Sequence, residues 1–506
     1  MGYITDSEGN FIGKSTLKRN IIICYNDKDL ARFRNRIKYN PTLTNQAFDE
    51  DENEYRVVSG FNDFDEMMDF IDNAIRFKKE VCKSSFSIAR SFKYSKGYVC
   101  KNIFRSFYKV AENKDTYRGS NYYYQNFPEL TDLKFYNMME GYYYASLCIN
   151  GTNKKEIFNN VYYRDFSQHY ASIMFERPLP IAAERISRKS ELPEHWFGLW
   201  KVDVDMDRFK MLPLKLQQLI LLGNCKLAIT EMDKPVYEGL GVRFIECIRL
   251  YKVTLGMLPT EFRRQIAFCF HQRKHAKERV KEHPGDKYYE FINTMLKMAN
   301  EYCYGDCAKK YFRFTKVTEN NKIMEYMVHH RYFRDNCSNE YDDWDARDWF
   351  CDDDAGPCSV WQYNEMKYLK NKVINKLPKL WAVYTVSYSR HDQKEIIDYI
   401  ADCGGRCLYT DTDSFFYQCD YDCLDGFRDK KDGDCDYLKL EAFFKRAKFP
   451  SKKWWCGETE NGEFKYAAAG SVGIQDGTNV DNFSVDRGVY LNEKIRSIVE
   501  EFVESA

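Results

Sequence analysis

The stretch Tyr409-Thr410-Asp411-Thr412-Asp413-Ser414 places two carboxylates one residue apart at a polar tip. β-rich residues flank this tip on both sides, so RCLYTDTDSFFYQ predicts a β-hairpin. Asp411 and Asp413 point the same way if strand alternation persists through the turn, and like charges forced together are costly unless a cation joins them. Mg²⁺ prefers oxygen ligands and is the natural partner. An ordinary Asx-type turn is the alternative interpretation.

A third carboxylate, Asp165, ends the aromatic run VYYRD and is followed by Phe166-Ser167-Gln168-His169-Tyr170. A carboxylate at the end of a strand that turns into a helix can share the metal ions, while exposed amides of the turn approach a triphosphate. Tyr170 is then placed to lie under a sugar ring. Without the Asp411–Asp413 pair, a helix N-cap would be the favoured explanation of Asp165.

The segments around Asp165 also have a local prediction. FYNMMEGYYYASLCI and VYYRDFSQHYASIM are rich in aromatic and β-branched residues and are separated by Asn150-Gly151. They predict two strands joined by a turn, with the second strand running into a helix. A further helix is predicted over 391–402, where Gly404-Gly405 follows as a C-cap.

Residues 259–282 have helical spacing, with a start signal at Pro259-Thr260 and a stop at His283-Pro284-Gly285-Asp286. Apolar residues at i, i+3 and i+4 intervals predict a second helix directly afterwards. Because only a short turn separates them, the two helices are expected to form an antiparallel helical hairpin.

Charged and aromatic residues of this hairpin are candidates for binding a nucleotide. Lys297, Glu301 and Tyr304 share one face of the second helix, where the lysine can meet a phosphate and the tyrosine can stack on a base. On the first helix, Arg273 and Lys277 form a basic i, i+4 pair that could face the same phosphates. A solvated charged helix face is the alternative for this pair.

Composition sets broad limits. The 506 residues predict three or four lobes of ~100–200 residues each, and 44% hydrophobic with 30% charged residues is typical of a globular protein. A net charge of zero neither supports nor excludes a nucleic-acid partner, because local clustering decides that. The absence of a long apolar run predicts no membrane span, and the 18 scattered cysteines favour a reducing, cytoplasmic compartment.

Taken in order, Asp165 with YASIM, Lys297 with Tyr304-Gly305, and the segment YTDTDS resemble motifs A, B and C of the family B DNA polymerases. Within that family the likeness is greatest to the protein-primed replicases of small phages and linear plasmids. FKRAKFPSKKWW at 444–455 resembles that subgroup's FKRAK segment and the Lys-x-Tyr motif behind it, and 464–484 resembles its thumb region. The likeness covers roughly residues 80–490 and is strong only at the motifs.

This resemblance implies an α+β right-hand polymerase, with a palm of antiparallel sheet and helices, fingers made of a helical hairpin, and a small thumb. The implied divisions are an N-terminal segment, a possible exonuclease remnant, at 1–80; palm with motif A and a priming-type insertion at 81–258; fingers at 259–305; a processivity-type insertion with an acidic loop at 306–378; palm with motif C at 379–424; and thumb at 425–506.

The resemblance also implies roles for single residues. Asp165 and Asp413 would bind two Mg²⁺ ions, with Mn²⁺ as an alternative ion, together with the main-chain carbonyl of Phe166. Asp411 would be the supporting catalytic carboxylate, and Tyr170 would exclude a 2′-hydroxyl. The implied nucleotide-binding residues are Phe166, Tyr170, Arg273, Lys277, Lys297 and Tyr304. The implied DNA contacts are Gly141, Tyr142, Lys445, Arg446, Lys448, Lys453 and Trp455, with Lys453 at the primer terminus.

Several positions depart from the family pattern. Motif A usually reads Asp-x-x-Ser-Leu-Tyr-Pro, and Gln168, His169 and Ala171 replace three of those residues here. Glu301 stands where motif B has Asn, and Trp455 where the thumb motif has Tyr. No Asp-x-Glu followed by Asn-x-x-x-Asp precedes Asp165, so no complete proofreading exonuclease is predicted in this chain.

The expected activity is DNA-directed DNA synthesis in the bacterial cytoplasm, for a phage or mobile element. The expected partners are DNA template-primer, deoxynucleoside triphosphates, a terminal priming protein and a separate exonuclease, with no membrane. A catalytically impaired, polymerase-like DNA-binding protein is the main alternative, supported by Glu301 and the altered motif A. A metal-dependent glycosyltransferase using Asp411 and Asp413 is a distant third, because it leaves Asp165 and Lys297 unexplained.

Overall fold

The computed structural model describes most residues of 61–80, 135–186, 192–258, 260–308, 378–431, 435–490 and 496–500, and gives strand positions alone within 1–60, 94–95 and 312–329. The chain is a mixed helix and sheet protein whose larger sheets are mainly antiparallel. Its internal contacts divide it into two units, one of residues 1–116 with 259–303 and one of residues 117–258 with 304–506.

The first unit contains short strands and three helical segments. The strands are β1 (Tyr3–Thr5), β2 (Phe11–Lys14), β3 (Ile21–Cys24), β4 (Ile37–Lys38), β5 (Gln46–Asp49), β6 (Glu54–Ser59) and β7 (Tyr94–Ser95). The order β3-β6-β5-β4 forms a mixed sheet, in which β3 and β7 run parallel to β6. Its helices are α1 (Phe64–Phe77), α5 (Thr260–Glu282) and the first turns of α6 (Lys287–Ala308), which continues into the second unit.

The predicted helical hairpin is confirmed, since α5 ends and α6 begins at the predicted stop signal. Gly285 lies at φ +87°, a backbone conformation that glycine adopts at little cost. The carboxylate of Asp286 accepts the backbone N–H of Tyr288 at 3.0 Å and so caps α6. Between the helices, Arg273 Nε donates to Asn293 Oδ1 at 3.0 Å.

A seven-stranded antiparallel sheet forms the centre of the second unit, in the order β20-β19-β18-β9-β17-β16-β8. Its strands are β8 (Cys148–Asn150), β9 (Ile157–Phe166), β16 (Arg406–Asp411), β17 (Ser414–Gln418), β18 (Leu438–Ser451), β19 (Trp454–Thr459) and β20 (Phe464–Ala468). The hairpin predicted around the two carboxylates is confirmed as β16 and β17. β9 lies between β17 and β18, so its two ladder partners both come from much later in the sequence.

One strand prediction was wrong. In the segment 135–149, the described residues near its start are helical, and the strand is confined to β8 at the end. Phe135, Met138, Met139 and Tyr142 are all buried, and their spacing of i, i+3, i+4 and i+7 is that of one helix face. The helical period therefore overrides the strand propensity of the aromatic residues.

A second antiparallel sheet, in the order β10-β13-β11-β12, belongs to the same unit. The remaining elements of this unit are α2 (His169–Glu176), β10 (Leu179–Ile186), β11 (Trp196–Val204), α3 (Leu214–Leu221), β12 (Lys226–Thr230), α4 (Asp233–Gly239), β13 (Val242–Gly256), β14 (Phe312–Glu319), β15 (Lys322–His329), α7 (Lys379–Asp402), β21 (Gly473–Ile474) and β22 (Gly488–Val489). α7 begins well before the predicted start of that helix at 391.

α7 carries buried polar side chains that hold other segments in place. Arg390 and Asp233 are fully buried and lie 2.8 Å apart, and Arg390 also donates to the carbonyl of Tyr144 at 2.5 Å. One turn on, the amide of Gln393 donates to the carbonyl of Leu147 at 3.0 Å. The buried face of α7 therefore fixes the segment that leads into β8.

The apolar residues of β17 alternate between two cores, as expected for a buried strand. Phe415 and Tyr417 pack with Ile396 and Ile400 of α7, whereas Phe416 packs on the opposite face of the sheet with Phe444 and other aromatic residues. The sheet is thus covered on both faces at β17.

In the part of the chain that the structure describes, no helix combines the length and the apolar character needed to cross a bilayer. Two charged stretches of the sequence, the acidic residues 335–358 within the predicted insertion and most of residues 76–101, which are rich in Lys and Arg, lie outside the described residues.

The Arg390–Asp233 pair gives a prediction for stability. Arg390→Met leaves the Asp233 carboxylate buried without its counter-charge, and we expect the free energy of unfolding to fall by about 3–5 kcal/mol. The matched control is Lys394→Met, on the exposed side of the same helix, where Lys394 pairs with Asp398. This control is expected to cost less than about 1 kcal/mol. Equal losses for the two variants in urea unfolding would contradict the role given to the buried pair.

Candidate active site

The pairing of β9 with β17 brings Asp165 beside the tip of the hairpin. Asp165 lies opposite Ser414 in the ladder, and the N–H of Phe166 donates to the carbonyl of Asp413 at 3.0 Å. On the other side of the turn, Asp411 is the partner of Ser414. The three predicted catalytic carboxylates therefore occupy neighbouring backbone positions, although they come from remote stretches of sequence.

The main-chain carbonyl of Phe166 faces the turn between β16 and β17. The N–H of Asp413 donates to the carbonyl of Asp411 at 2.8 Å, rather than back across the ladder, and the N–H of Thr412 donates to Leu147 at 3.0 Å. In an extended strand, the N–H and C=O of one residue point to the same side. Because the Phe166 N–H points at Asp413, the Phe166 carbonyl is directed toward the same tip.

Three residues around this tip have left-handed backbone conformations without being glycine. They are Gln168 at φ +57°, Thr412 at φ +65° and Lys453 at φ +61°. Such conformations cost roughly 1–3 kcal/mol each and persist where the surrounding structure holds them, often at functional sites. Thr412 is the most unusual, since β-branched residues rarely adopt this region.

The carboxyl group of Asp413 is in an environment that disfavours its negative charge. Burial raises its pKa, and the neighbouring charge of Asp411 raises it further, while His169 and Lys453 act in the opposite direction; the net shift is upward. A bound cation would relieve this unfavourable charge. Raised pKa values of this kind are common at functional sites.

The residues present fit a hard divalent cation. Two carboxylates, Asp165 and Asp413, and the carbonyl of Phe166 provide oxygen ligands of the kind that Mg²⁺ prefers. Among the described residues, side chains close enough to form a three-ligand group occur only at His169, Asp392 and Asp436 and at His391, Asp392 and Glu395. Ions at Asp165 and Asp413 would therefore need water and substrate oxygens to complete their shells, which is usual for Mg²⁺.

Lys453 forms an ion pair with Asp411 in this structure. Its ammonium is 2.8 Å from both carboxylate oxygens, and its backbone N–H donates to the hydroxyl of Tyr409 at 2.7 Å. These contacts hold the tight turn between β18 and β19, where Ser451 pairs with Trp454. The lysine predicted at the primer terminus is thus placed at the carboxylates by a strained two-residue turn.

Tyr170 and Tyr304 are in direct contact. Their ring centroids lie 4.4 Å apart with 43° between the planes, and burial raises the pKa of Tyr304 to about 12. The structure therefore brings together two of the predicted nucleotide-binding residues, one from α2 and one from α6.

Three more of the predicted nucleotide-binding residues belong to the first unit. Lys297 is exposed, and its ammonium lies 4.0 Å from Glu301. Arg273 is half-buried, and burial lowers its pKa. Lys277 is exposed.

The basic residues predicted to contact DNA on β18 differ in exposure. Lys445 is exposed. Arg446 forms an ion pair with Asp481, and Lys448 is buried, with its ammonium donating to the Asp481 carbonyl at 3.0 Å. Of these three side chains, that of Lys445 is the most exposed to solvent.

The aromatic residues predicted to contact DNA pack against other residues of the protein, Tyr142 completely and Trp455 with part of its surface exposed. The Trp455 ring lies 4.8 Å from that of Phe416. Tyr142 is fully buried, and its carbonyl accepts the N–H of Ala228 at 2.9 Å, while the adjacent Gly141 is half-exposed. A contact between Tyr142 and DNA would have to use the backbone around Gly141.

Sequence reasoning missed a buried ion cluster beside the site. It consists of His169, Arg177, Asp392, Arg428 and Asp436. The two guanidinium groups already balance the two carboxylates, so this cluster needs no metal ion for neutrality. His169 was recognisable as a departure from motif A, but its partners come from distant segments and share no local spacing.

No family model matches the chain, and no curated protein matches it. Among solved structures, it is similar to phi29 DNA polymerase in a ternary complex with primer-template DNA and incoming nucleotide substrates. That likeness has a TM-score of 0.53 at 14% sequence identity, and it covers 92% of this chain and 86% of that chain.

Two further likenesses to solved structures have lower TM-scores. A binary complex of phi29 DNA polymerase with primer-template DNA has a TM-score of 0.45 at 11% identity, and the match covers 78% of this chain and 60% of that chain. The family B DNA polymerase of the hyperthermophilic archaeon Pyrobaculum calidifontis has a TM-score of 0.35 at 12% identity, covering 87% of this chain and 41% of that chain. At these identities a likeness is evidence of fold alone, and the chain has a fold similar to that of a DNA polymerase.

Proposed function

We propose that this chain is a DNA-directed DNA polymerase that adds deoxynucleotides to a primer 3′-hydroxyl. The observation that carries the proposal is the β9–β17 pairing, which sets Asp165 beside Asp413 in a fold similar to phi29 DNA polymerase. In this proposal β8, β9, β16 and β17 with α2 and α7 are the palm, and α5 and α6 are the fingers. Residues 425–506 are the thumb, and their strands β18, β19 and β20 continue the palm sheet.

The proposed chemistry is two-metal phosphoryl transfer. Mg²⁺ ions held by Asp165, Asp413 and the Phe166 carbonyl would lower the pKa of the primer hydroxyl and neutralise the departing pyrophosphate. Tyr170, braced by Tyr304, would lie under the sugar of the incoming nucleotide.

Basic residues would position the two substrates. Lys297, with Arg273 and Lys277, would bind the triphosphate, because ammonium and guanidinium groups form strong hydrogen bonds with phosphate oxygens. Lys453 would move from Asp411 to the primer terminus when DNA binds. Lys445, with Arg446 beside it, would contact the DNA backbone, and that contribution would weaken with added salt.

The finer parts of the proposal rest on the motif resemblance. They are priming by a terminal protein, proofreading by a separate exonuclease, and action in bacterial cytoplasm for a phage or mobile element. The segment FKRAKFPSKKWW supports the protein-primed subgroup, since it follows that subgroup's order of residues.

A second candidate is a polymerase-like protein that binds DNA without extending it. The ion pair of Lys297 with Glu301 favours this candidate, because the Glu301 carboxylate competes with phosphate for the Lys297 ammonium. Tight binding of primer-template with no extension in Mg²⁺ or Mn²⁺ would support it. Restored extension in Glu301→Asn would show that the acidic residue is the cause.

We expect Asp413→Asn to abolish primer extension and to stabilise the protein in the absence of metal. The pKa of Asp413 is raised in the folded state, so the unfolded chain releases this proton more readily and the ionised group opposes folding at neutral pH. Stability due to this group therefore increases as the pH falls through its folded pKa, and the neutral amide removes the penalty.

Extension of a labelled primer and thermal unfolding with and without Mg²⁺ test both parts. Asp165→Asn serves as the parallel variant in the extension assay. Extension that survives Asp413→Asn would refute the assignment.

Lys453→Met removes the ammonium beside Asp411, and we expect kcat/KM for primer extension to fall roughly 10-fold or more. Because Lys453 also lowers the pKa of Asp413, the acidic limb of the pH profile should move to higher pH. The matched control is Lys252→Met, since Lys252 is similarly exposed and pairs with Glu184 at 3.5 Å. An unshifted acidic limb would argue against this role for Lys453.

Tyr170→Ala opens the space under the sugar, and the preference for deoxynucleotides over ribonucleotides should fall roughly 10–100-fold. Tyr170→Phe keeps the ring against Tyr304 and should retain the preference. Single-nucleotide insertion kinetics with both substrates measure the ratio. A preference that Tyr170→Ala leaves intact would exclude Tyr170 as the discriminating residue.

A further inference from the structure

A buried ion network lies beneath the turn between β9 and α2. His169 is 1% exposed, its Nδ1 lies 2.6 Å from Asp436 Oδ1, and its Nε2 lies 3.6 Å from Asp392 Oδ2. Arg177 makes two hydrogen bonds to Asp392, at 2.9 and 2.7 Å. Arg428 bridges the two carboxylates, at 2.7 Å from Asp392 and 3.6 Å from Asp436. The imidazole is therefore held from both sides by groups that are themselves fixed.

His169 connects this network to the backbone of the candidate metal site. Its ring lies flat on that of Phe166, with centroids 4.2 Å apart and 6° between the planes. The Phe166 ring is buried, so its position sets that of the adjoining carbonyl, which faces the carboxylate tip.

The same network also ties down the start of α2. The backbone N–H of Asp436 donates to Ser172 Oγ at 3.0 Å, and that hydroxyl donates to the carbonyl of Gln168 at 3.1 Å. Gln168 is the left-handed residue of the β9–α2 turn. Asp436 thus contacts the turn by two routes, through His169 and through Ser172.

The geometry points to His169 as a positioning residue for the metal site. Its bond to Asp436 fixes the plane of the imidazole, the imidazole fixes Phe166, and Phe166 fixes the carbonyl and the neighbouring Asp165. This inference rests on the proposed function, because it concerns the site proposed to hold the cations. Leucine, which the family pattern has at this position, would fill a similar volume but could not bond to Asp436.

Binding of Mn²⁺ alone to the full chain, followed by electron paramagnetic resonance, tests the inference. The Mn²⁺ binding that is lost in Asp413→Asn is assigned to the site. We expect His169→Leu to weaken that part about 10-fold or more, the usual effect of losing a residue that orients metal ligands.

A merely structural role predicts a different pattern. Under that role Mn²⁺ affinity would fall only with loss of folded protein, whereas the positioning role lowers it at temperatures well below the melting temperature of His169→Leu. His195→Leu is the matched control, because it removes another histidine–carboxylate pair, His195 Nδ1 with Glu231 at 3.1 Å. It should leave Mn²⁺ affinity unchanged, whatever it does to stability.

These outcomes distinguish failure of the positioning role of His169 from failure of the proposed polymerase function. Wild-type affinity in His169→Leu overturns the positioning role and leaves the polymerase proposal standing. Absence of Asp413-dependent Mn²⁺ binding in the wild type, together with absence of primer extension, overturns both. If His169→Leu does not fold, His169→Asn takes its place, since its amide can still donate to Asp436 while the ring is lost. Wild-type affinity in that variant also overturns the role.

Discussion

The constraint on which this structure depends is the placement of carboxylates at adjoining backbone positions. Asp411 and Asp413 share one turn, and Asp165 joins them from β9. Their mutual repulsion and partial burial oppose folding. The β9 ladder and the Lys453 ammonium on Asp411 offset part of this cost, whereas the left-handed backbone of Thr412 adds to it. A site strained in this way is well prepared for a cation.

The elements that could be predicted from the sequence are those with local signals. The β16–β17 hairpin follows from β-rich runs around a polar tip, and the α5–α6 hairpin follows from helical spacing interrupted by a Pro-Gly stop. The convergence of Asp165 on the tip was inferred by resemblance to known motifs, and the register agrees with it. In each of these cases the determining residues are close together in the sequence or belong to a recognised pattern.

The elements that could not be predicted depend on distant partners. His169 contacts carboxylates from α7 and from the segment before β18, and no spacing within motif A indicates either. Lys448 and Trp455 belong to a basic, aromatic segment suggestive of DNA binding. In the fold, however, Lys448 is buried and donates to Asp481, and the partly buried Trp455 packs its ring on Phe416. Burial is a property of the assembled fold, so residue type alone could not separate these two from the exposed Lys445.

The central position of β9 has a consequence for biosynthesis. Both of its ladder partners, β17 and β18, lie roughly half the chain or more further on and leave the ribosome much later than β9 does. Until then β9 has two open edges, and its aromatic side chains have no completed core, which is a hazard for association between nascent chains. Closing so long a loop also slows folding. The order of translation therefore leaves the strand that carries Asp165 without either ladder partner until β17 and β18 have been made, and chaperones that cover exposed strand edges would act in that interval.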